Sequence, residues 1–220
     1  MGGFRNSLGG MVFAVCSIAA LPANAAILIN GSFEHGLFVD NTGGGAMLLN
    51  PGATNMTGWT VIGGGNLLWA GPASFAYMGN LSASNGGYFL DLTGLTNTFP
   101  YAGVSQTIGT VLGRQYTLSF DQGGRADSVP DSILASAGAT SQTFTSSTLP
   151  WVTQTLSFTG TGSPMVISLL GTAQTGFDIG LDNVSVSAIP EPAIWTMLIV
   201  GFGMLGGALR LRPDPAMMVA

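Results

Sequence analysis

The chain has 220 residues and a formal net charge of -5, with 34 glycines, no lysine and charged side chains at only 7% of positions. Between residues 26 and 189 the only basic side chains are Arg114 and Arg125, facing eight carboxylates. This excludes a nucleic-acid partner, which needs clustered cations to displace phosphate counterions. The single cysteine, Cys16, lies in the N-terminal apolar segment, so disulfides, thiolate metal sites and cysteine catalysis are excluded for the rest of the chain.

At the N-terminus, Arg5, an apolar stretch over residues 8–21, Pro22 and Ala23-Asn24-Ala25 read as a signal peptide over 1–25. The apolar part is interrupted by Gly9 and Gly10 and falls short of the roughly 20 residues that a membrane span needs. From residue 26 onward, short apolar or alternating runs are punctuated by Gly, Asn, Pro and Asp, a spacing that predicts many strands joined by turns. The runs fall at 26–29, 59–62, 67–69, 88–92, 104–108, 116–120, 141–144, 151–158, 165–170 and 184–188. The clearest is Tyr116-Thr117-Leu118-Ser119-Phe120, which puts rings and an aliphatic group on one face and hydroxyls on the other. Glycine and threonine are poor helix formers, and about ten strands without an amphipathic helix predict one all-β, two-sheet sandwich over 26–189. The Gly43-Gly44-Gly45 and Gly63-Gly64-Gly65 runs read as loops; with no following helix and no lysine they are not phosphate cradles.

At the C-terminus, Pro190-Glu191-Pro192 is followed by an apolar run over 193–209 and by Arg210 and Arg212. At about 1.5 Å per residue this run reaches across a thin bilayer, with the arginines on the cytoplasmic side and the domain outside. The segment, with its Trp195 and Gly201-Phe202-Gly203, resembles the PEP-CTERM sorting signal. The resemblance implies a transmembrane helix over 193–209, a sorting signal over 190–212 and a partner enzyme of the exosortase type. The sorting residues it implies are Pro190, Glu191, Pro192, Arg210 and Arg212. Residues 213–220 are then a short cytoplasmic extension.

A second resemblance runs through the domain. Ile29-Asn30-Gly31-Ser32-Phe33-Glu34, Gly58-Trp59-Thr60-Val61, residues 88–94, 104–108 and 116–121, and Leu181-Asp182-Asn183-Val184-Ser185-Val186 occur in the order seen in secreted choice-of-anchor domains. These are similar to galactose-binding-like jelly rolls, many of them carbohydrate-binding modules. The resemblance implies a jelly-roll sandwich and a structural Ca²⁺ held by Glu34 and Asp182, hard oxygen ligands suited to that ion.

Sugar recognition uses ring faces for C–H groups and amides or carboxylates for hydroxyls. The candidates are Trp69, Tyr77, Tyr88 and Tyr101 in or beside Gly-rich loops, with Asp91 and Asn97 nearby. Asp178 and Asp182, four apart, read as solvent-facing acids and not as a hydrolytic pair, and His35 has no Gly-x-Ser-x-Gly elbow to serve. The expectation is a non-enzymatic, exported, membrane-tethered surface or matrix protein in contact with extracellular polysaccharide. A structural surface or biofilm component without a small ligand is the alternative; a secreted hydrolase is disfavoured.

Overall fold

The computed structural model describes residues 28–125, 130–147, 150–173, 178–190 and 192–210. The expected signal peptide over 1–25, Glu191, Arg212 and the extension over 213–220 lie outside the described residues. The strands, in chain order, are β1 (Ala46–Leu49), β2 (Thr60–Gly63), β3 (Leu67–Ala70), β4 (Phe89–Asp91), β5 (Ala102–Ile108), β6 (Gln115–Gly123), β7 (Asp131–Ala137), β8 (Thr140–Ser146), β9 (Trp151–Thr159), β10 (Met165–Ala173) and β11 (Gly180–Ala188). They form an all-β sandwich: one sheet in the order β1-β3-β4-β11-β6-β9, the other β2-β5-β10-β7-β8. Every pairing is antiparallel. All connections except β3 to β4 and β7 to β8 cross between the sheets.

Alternation builds the core. Tyr116, Leu118 and Phe120 of β6 are fully buried between the sheets, while Thr117 and Ser119 turn outward. Tyr116 stacks on Phe158 of β9 at 5.4 Å between ring centres, and Phe120 meets Phe144 of β8 edge-on at 5.5 Å. Each such ring contributes roughly 1.5–3 kcal/mol through removal from water. A second, smaller apolar cluster lies on the outer face of the larger sheet, where Ala46, Leu68, Ala70 and Phe89 are covered by Met78 and Leu81.

The structure departs from the expected strands in three places. Leu28 and Ile29 are not in a strand. Ile29 instead exchanges two hydrogen bonds with the Gln106 amide, its N–H donating to Oε1 at 2.8 Å and its carbonyl accepting from Nε2 at 3.0 Å. Left-handed backbone at Asn30 and Phe33 ends any extended run there. β1 and β7 were not expected: β1 is only four residues long, and the inward positions of β7 are Asp131, Ile133 and two alanines, a weak apolar signal.

Beyond the sandwich, the helix α1 (Pro192–Arg210) occupies the apolar C-terminal run. Met197, Leu198, Ile199, Phe202, Met204 and Leu205 are exposed on it. Among the described residues no helix is long and apolar enough to cross a membrane.

Candidate functional site

The loop over 92–101 is built from the end of β4 outward. The Asp91 side chain is fully buried. Its Oδ1 accepts the Thr93 N–H at 2.9 Å, the Thr93 hydroxyl at 2.6 Å and the Ile179 N–H at 3.2 Å. These bonds turn the chain sharply after the strand and tie it to the segment entering β11, as short acidic side chains do in turns. Asn97 Oδ1 lies 2.6 Å from the same Thr93 hydroxyl and accepts the Asp178 N–H at 3.5 Å. Gly94 has φ +65 and its α-carbon backs directly onto Asn66, so a side chain is excluded there on both counts.

Burial, reinforced by the negative charge of Asp178, pushes the Asp91 carboxyl up to about 8. Its Oδ2 has no hydrogen-bond partner among the described residues, which suits a protonated, neutral group. Asp178 faces Arg125, with Nε 3.6 Å from Oδ2.

The loop so fixed forms the shared wall of two clefts. One, of about 290 Å³, is bounded by Asn50, Asn66, Thr96, Thr98, Phe99 and Pro100. Phe99 is 74% exposed, so its ring is open to solvent beside those amides and hydroxyls. Thr98 donates to Thr96 Oγ1 at 3.0 Å, which leaves the Thr96 hydroxyl hydrogen available. The other cleft, of about 350 Å³, is more apolar and is lined by Thr42, Gly44, Leu68, Tyr77, Met78 and Leu95. Tyr77 is 75% exposed and Leu95 55%. Arg125 Nη1 donates to the Tyr77 carbonyl at 3.5 Å and so helps hold the segment that carries this ring. A larger concavity of about 400 Å³ lies beside Ile29, Thr60, Ser105 and Gln106. It contains no aromatic ring, and its one amide is already spent on Ile29, so the two loop clefts are better suited to a ligand.

The six residues expected at a sugar site fall in different surroundings. Trp69 is a correction: it is 1% exposed, and its Nε1 donates to the Phe33 carbonyl at 3.0 Å. Asp91 and Tyr101 are likewise buried, Asp91 as a turn anchor and Tyr101 with its ring edge-on to Phe99 at 5.7 Å. Tyr88 is half-buried, its ring 5.1 Å from Phe38 and 5.6 Å from Trp69. Asn97 is half-buried and belongs to the Asp91 network. Tyr77 alone presents an open ring. Phe99, Leu95, Asn50 and Asn66 were not anticipated; an aromatic inside a run of Thr and Asn, off any alternating strand, is the one trace that Phe99 leaves in the sequence.

Glu34 and Asp182, implied as calcium ligands, reach the same loop over 84–88 from two sides. Glu34 Oε1 accepts the Gly87 and Tyr88 N–H groups at 2.8 and 2.9 Å. Asp182 Oδ2 accepts the Asn85 N–H at 2.9 Å and the Ser84 hydroxyl at 3.2 Å, and its Oδ1 accepts the Asn183 N–H at 2.6 Å. The Ser84 hydroxyl also lies 2.8 Å from Asp121 Oδ2. N–H groups aimed at a carboxylate fill the positions a cation would take, and among the described residues no group of three His, Cys, Asp or Glu side chains converges to hold a metal. The set present fits a hydrogen-bonded clamp and does not fit a calcium site. Burial pushes Asp182 up to about 6. Asp178 and Asp182 bind different partners and do not form a pair. His35 is an exposed loop residue whose backbone is held by Asn30.

No family model matches the chain, and no curated protein matches it. Among solved structures it is similar to a sugar-binding EclA C-terminal domain, at 17% identity over 38% of this chain and 64% of that one, TM-score 0.34. A family 61 carbohydrate-binding module solved with β-1,4-galactotriose matches at 16% identity over 74% of this chain and 97% of that one, TM-score 0.44. A family 22 xylan-binding domain from Paenibacillus barcinonensis matches at 19% identity over 64% and 90%, TM-score 0.41. At these identities and TM-scores the function has to be read from the chain's own side chains.

Proposed function

We propose that the domain is a non-catalytic carbohydrate-binding module and that the Phe99 cleft is where it meets a polysaccharide. The observation that carries this is an aromatic ring, 74% exposed, standing beside two asparagine amides and two threonine hydroxyls. A ring face stacks on sugar C–H groups while amides and hydroxyls match the sugar hydroxyls. Affinity electrophoresis through gels containing soluble polysaccharides tests it. The wild-type chain is retarded by at least one polymer, and Phe99→Ala loses most of that retardation with Tm unchanged. Absence of retardation by every polymer of a broad panel would remove the reading.

We also infer that residues 190–212 hold the chain at a membrane and act as a PEP-CTERM signal, with the sandwich outside the cytoplasm. What supports this is the order Pro190, Glu191, Pro192, apolar run, Arg210, together with the uncovered apolar side chains of α1. Intact mass and fractionation decide it, comparing hosts with and without an exosortase. A product ending near residue 190 only in the first host supports sorting; the same full-length tail in both overturns it.

A further inference from the structure

We propose that the two clefts on either side of the 92–101 loop are subsites of one groove that takes a neutral glycan chain, with Phe99 and Tyr77 as platforms and Leu95 on the crest between them. This rests on the reading of the Phe99 cleft as a sugar site and extends it to chain length and charge.

Topology places the clefts in line. The Phe99 cleft includes Asn50, which follows β1, and Asn66, which precedes β3. The Tyr77 cleft includes Thr42 and Gly44, which precede β1, and Leu68 within β3. Because β1 and β3 run antiparallel with Leu49 opposite Leu67 and Ala46 opposite Ala70, Asn50 and Asn66 lie beyond one end of the pair and Thr42 and Gly44 beyond the other, with Leu68 of the Tyr77 cleft between them. At about 3.3 Å per residue Ala46, which lines one cleft, and Asn50, which lines the other, are roughly 13 Å apart, so the two clefts together span more than one sugar ring and suit an oligosaccharide. The 92–101 loop supplies a wall to both, and Tyr77, Leu95 and Phe99 are all more than half exposed. Together they make an apolar track with polar margins.

Charge selects the polymer. No residue lining either cleft is charged. The nearest cation, Arg125, is engaged by Asp178 and the Tyr77 carbonyl, and the domain carries far more carboxylates than arginines. An anionic polysaccharide would meet repulsion without compensating contacts, whereas a neutral one loses nothing.

Calorimetric titration of the full chain with neutral cello-, xylo- and galacto-oligosaccharides, from disaccharide to hexasaccharide, tests the proposal, with alginate as the anionic comparison. Affinity is expected to rise with length in the responsive series. Tyr77→Ala should weaken the hexasaccharide about tenfold while leaving the disaccharide unchanged, and Phe99→Ala should weaken both. Both side chains are largely exposed, so Tm stays at the wild-type value and verifies folding. If Tyr77→Ala leaves the hexasaccharide unaffected while Phe99→Ala abolishes binding, the two-subsite groove is overturned and the single sugar site stands. Tighter binding of alginate than of any neutral ligand overturns the charge argument. Failure of the wild type to bind any neutral member overturns the neutral-glycan groove, whereas the sugar-binding function falls only if the polysaccharide panel gives no retardation either.

Discussion

The two loops that flank β4 are both tied down by carboxylates, but from opposite directions. The loop before the strand, over 84–88, is gripped from afar: Glu34 is 53 residues away from Gly87, and Asp182 is 97 away from Asn85. The loop after the strand is shaped locally by Asp91, which bonds to Thr93 two residues on. The distant clamp joins the first described segment, the middle of the chain and the last strand into one unit, and the carbonyl of Gly31 accepting the Val184 N–H at 2.8 Å reinforces it. Asp91 sets the wall of both clefts and, through the Ile179 N–H 88 residues away, also ties β4 to the segment entering β11. Removing the fully buried Asp91 therefore acts on both global stability and the shape of the surface, whereas removing the half-buried Glu34 acts on the clamp alone and costs less.

Asp91 offers the largest effect. Asp91→Ala leaves the buried Thr93 and Ile179 N–H groups without an acceptor and is expected to cost about 3 kcal/mol, read by urea unfolding. The charge can be separated from the hydrogen bonds through pH. In the folded chain the carboxyl titrates near 8, and unfolded near 3.9. Between those values the folded chain holds a proton that the unfolded chain has released, so this contribution is full below about pH 4 and is lost as pH rises toward 8. Asp131, raised to about 7 by burial, and Asp182, at about 6, act in the same direction over narrower windows. Tm should therefore be higher at pH 5 than at pH 8. Asp91→Asn keeps an acceptor oxygen and stays neutral, so it should flatten this dependence and raise Tm at pH 8 by several degrees. An unchanged pH profile in Asp91→Asn would mean that Asp91 is ionised when folded.

The clamp gives a smaller effect. Glu34 is only half-buried, so water replaces part of what its removal takes away. Glu34→Ala is expected to cost about 1–2 kcal/mol by urea unfolding, for the loss of the acceptor shared by Gly87 and Tyr88. Glu34→Gln, which retains an oxygen for both N–H groups, should recover most of it. If Gln is as damaging as Ala, the negative charge matters at Glu34, as it does not at Asp91.

These contrasts also mark what the sequence could tell. Strands such as β6 and β9 have one wet face, so their alternation is visible and they were located closely. In β3 all four residues are buried, because the segment after it covers the outer face; alternation vanishes there, and Trp69 reads as a loop aromatic when it is core. Asp91 looked like a ligand group because nothing in the local pattern announces that its carboxylate is consumed by N–H groups of the next turn. Phe99 differs from Tyr101 in which way the loop points it, a property of the turn shaped by Gly94, Asn66 and the Asp91 bonds and not of the aromatic residues themselves.

The smallest expected effect is the most pointed test of the clamp. If Glu34 and Asp182 were metal ligands, calcium would bind the folded chain alone and raise its stability by mass action, by about 2.7 kcal/mol at a hundredfold excess over Kd. With Glu34 Oε1 and Asp182 Oδ2 taken by donors from 84–88 and Asp182 Oδ1 by the Asn183 N–H, calcium would have to displace these bonds, and Tm in millimolar calcium should equal Tm in chelator to within a degree. A rise of several degrees that Glu34→Gln abolishes would show that the N–H groups yield to the ion. The loop over 84–88 would then be held through a metal, and the difference between the two sides of β4 would be one of chemistry as well as of reach.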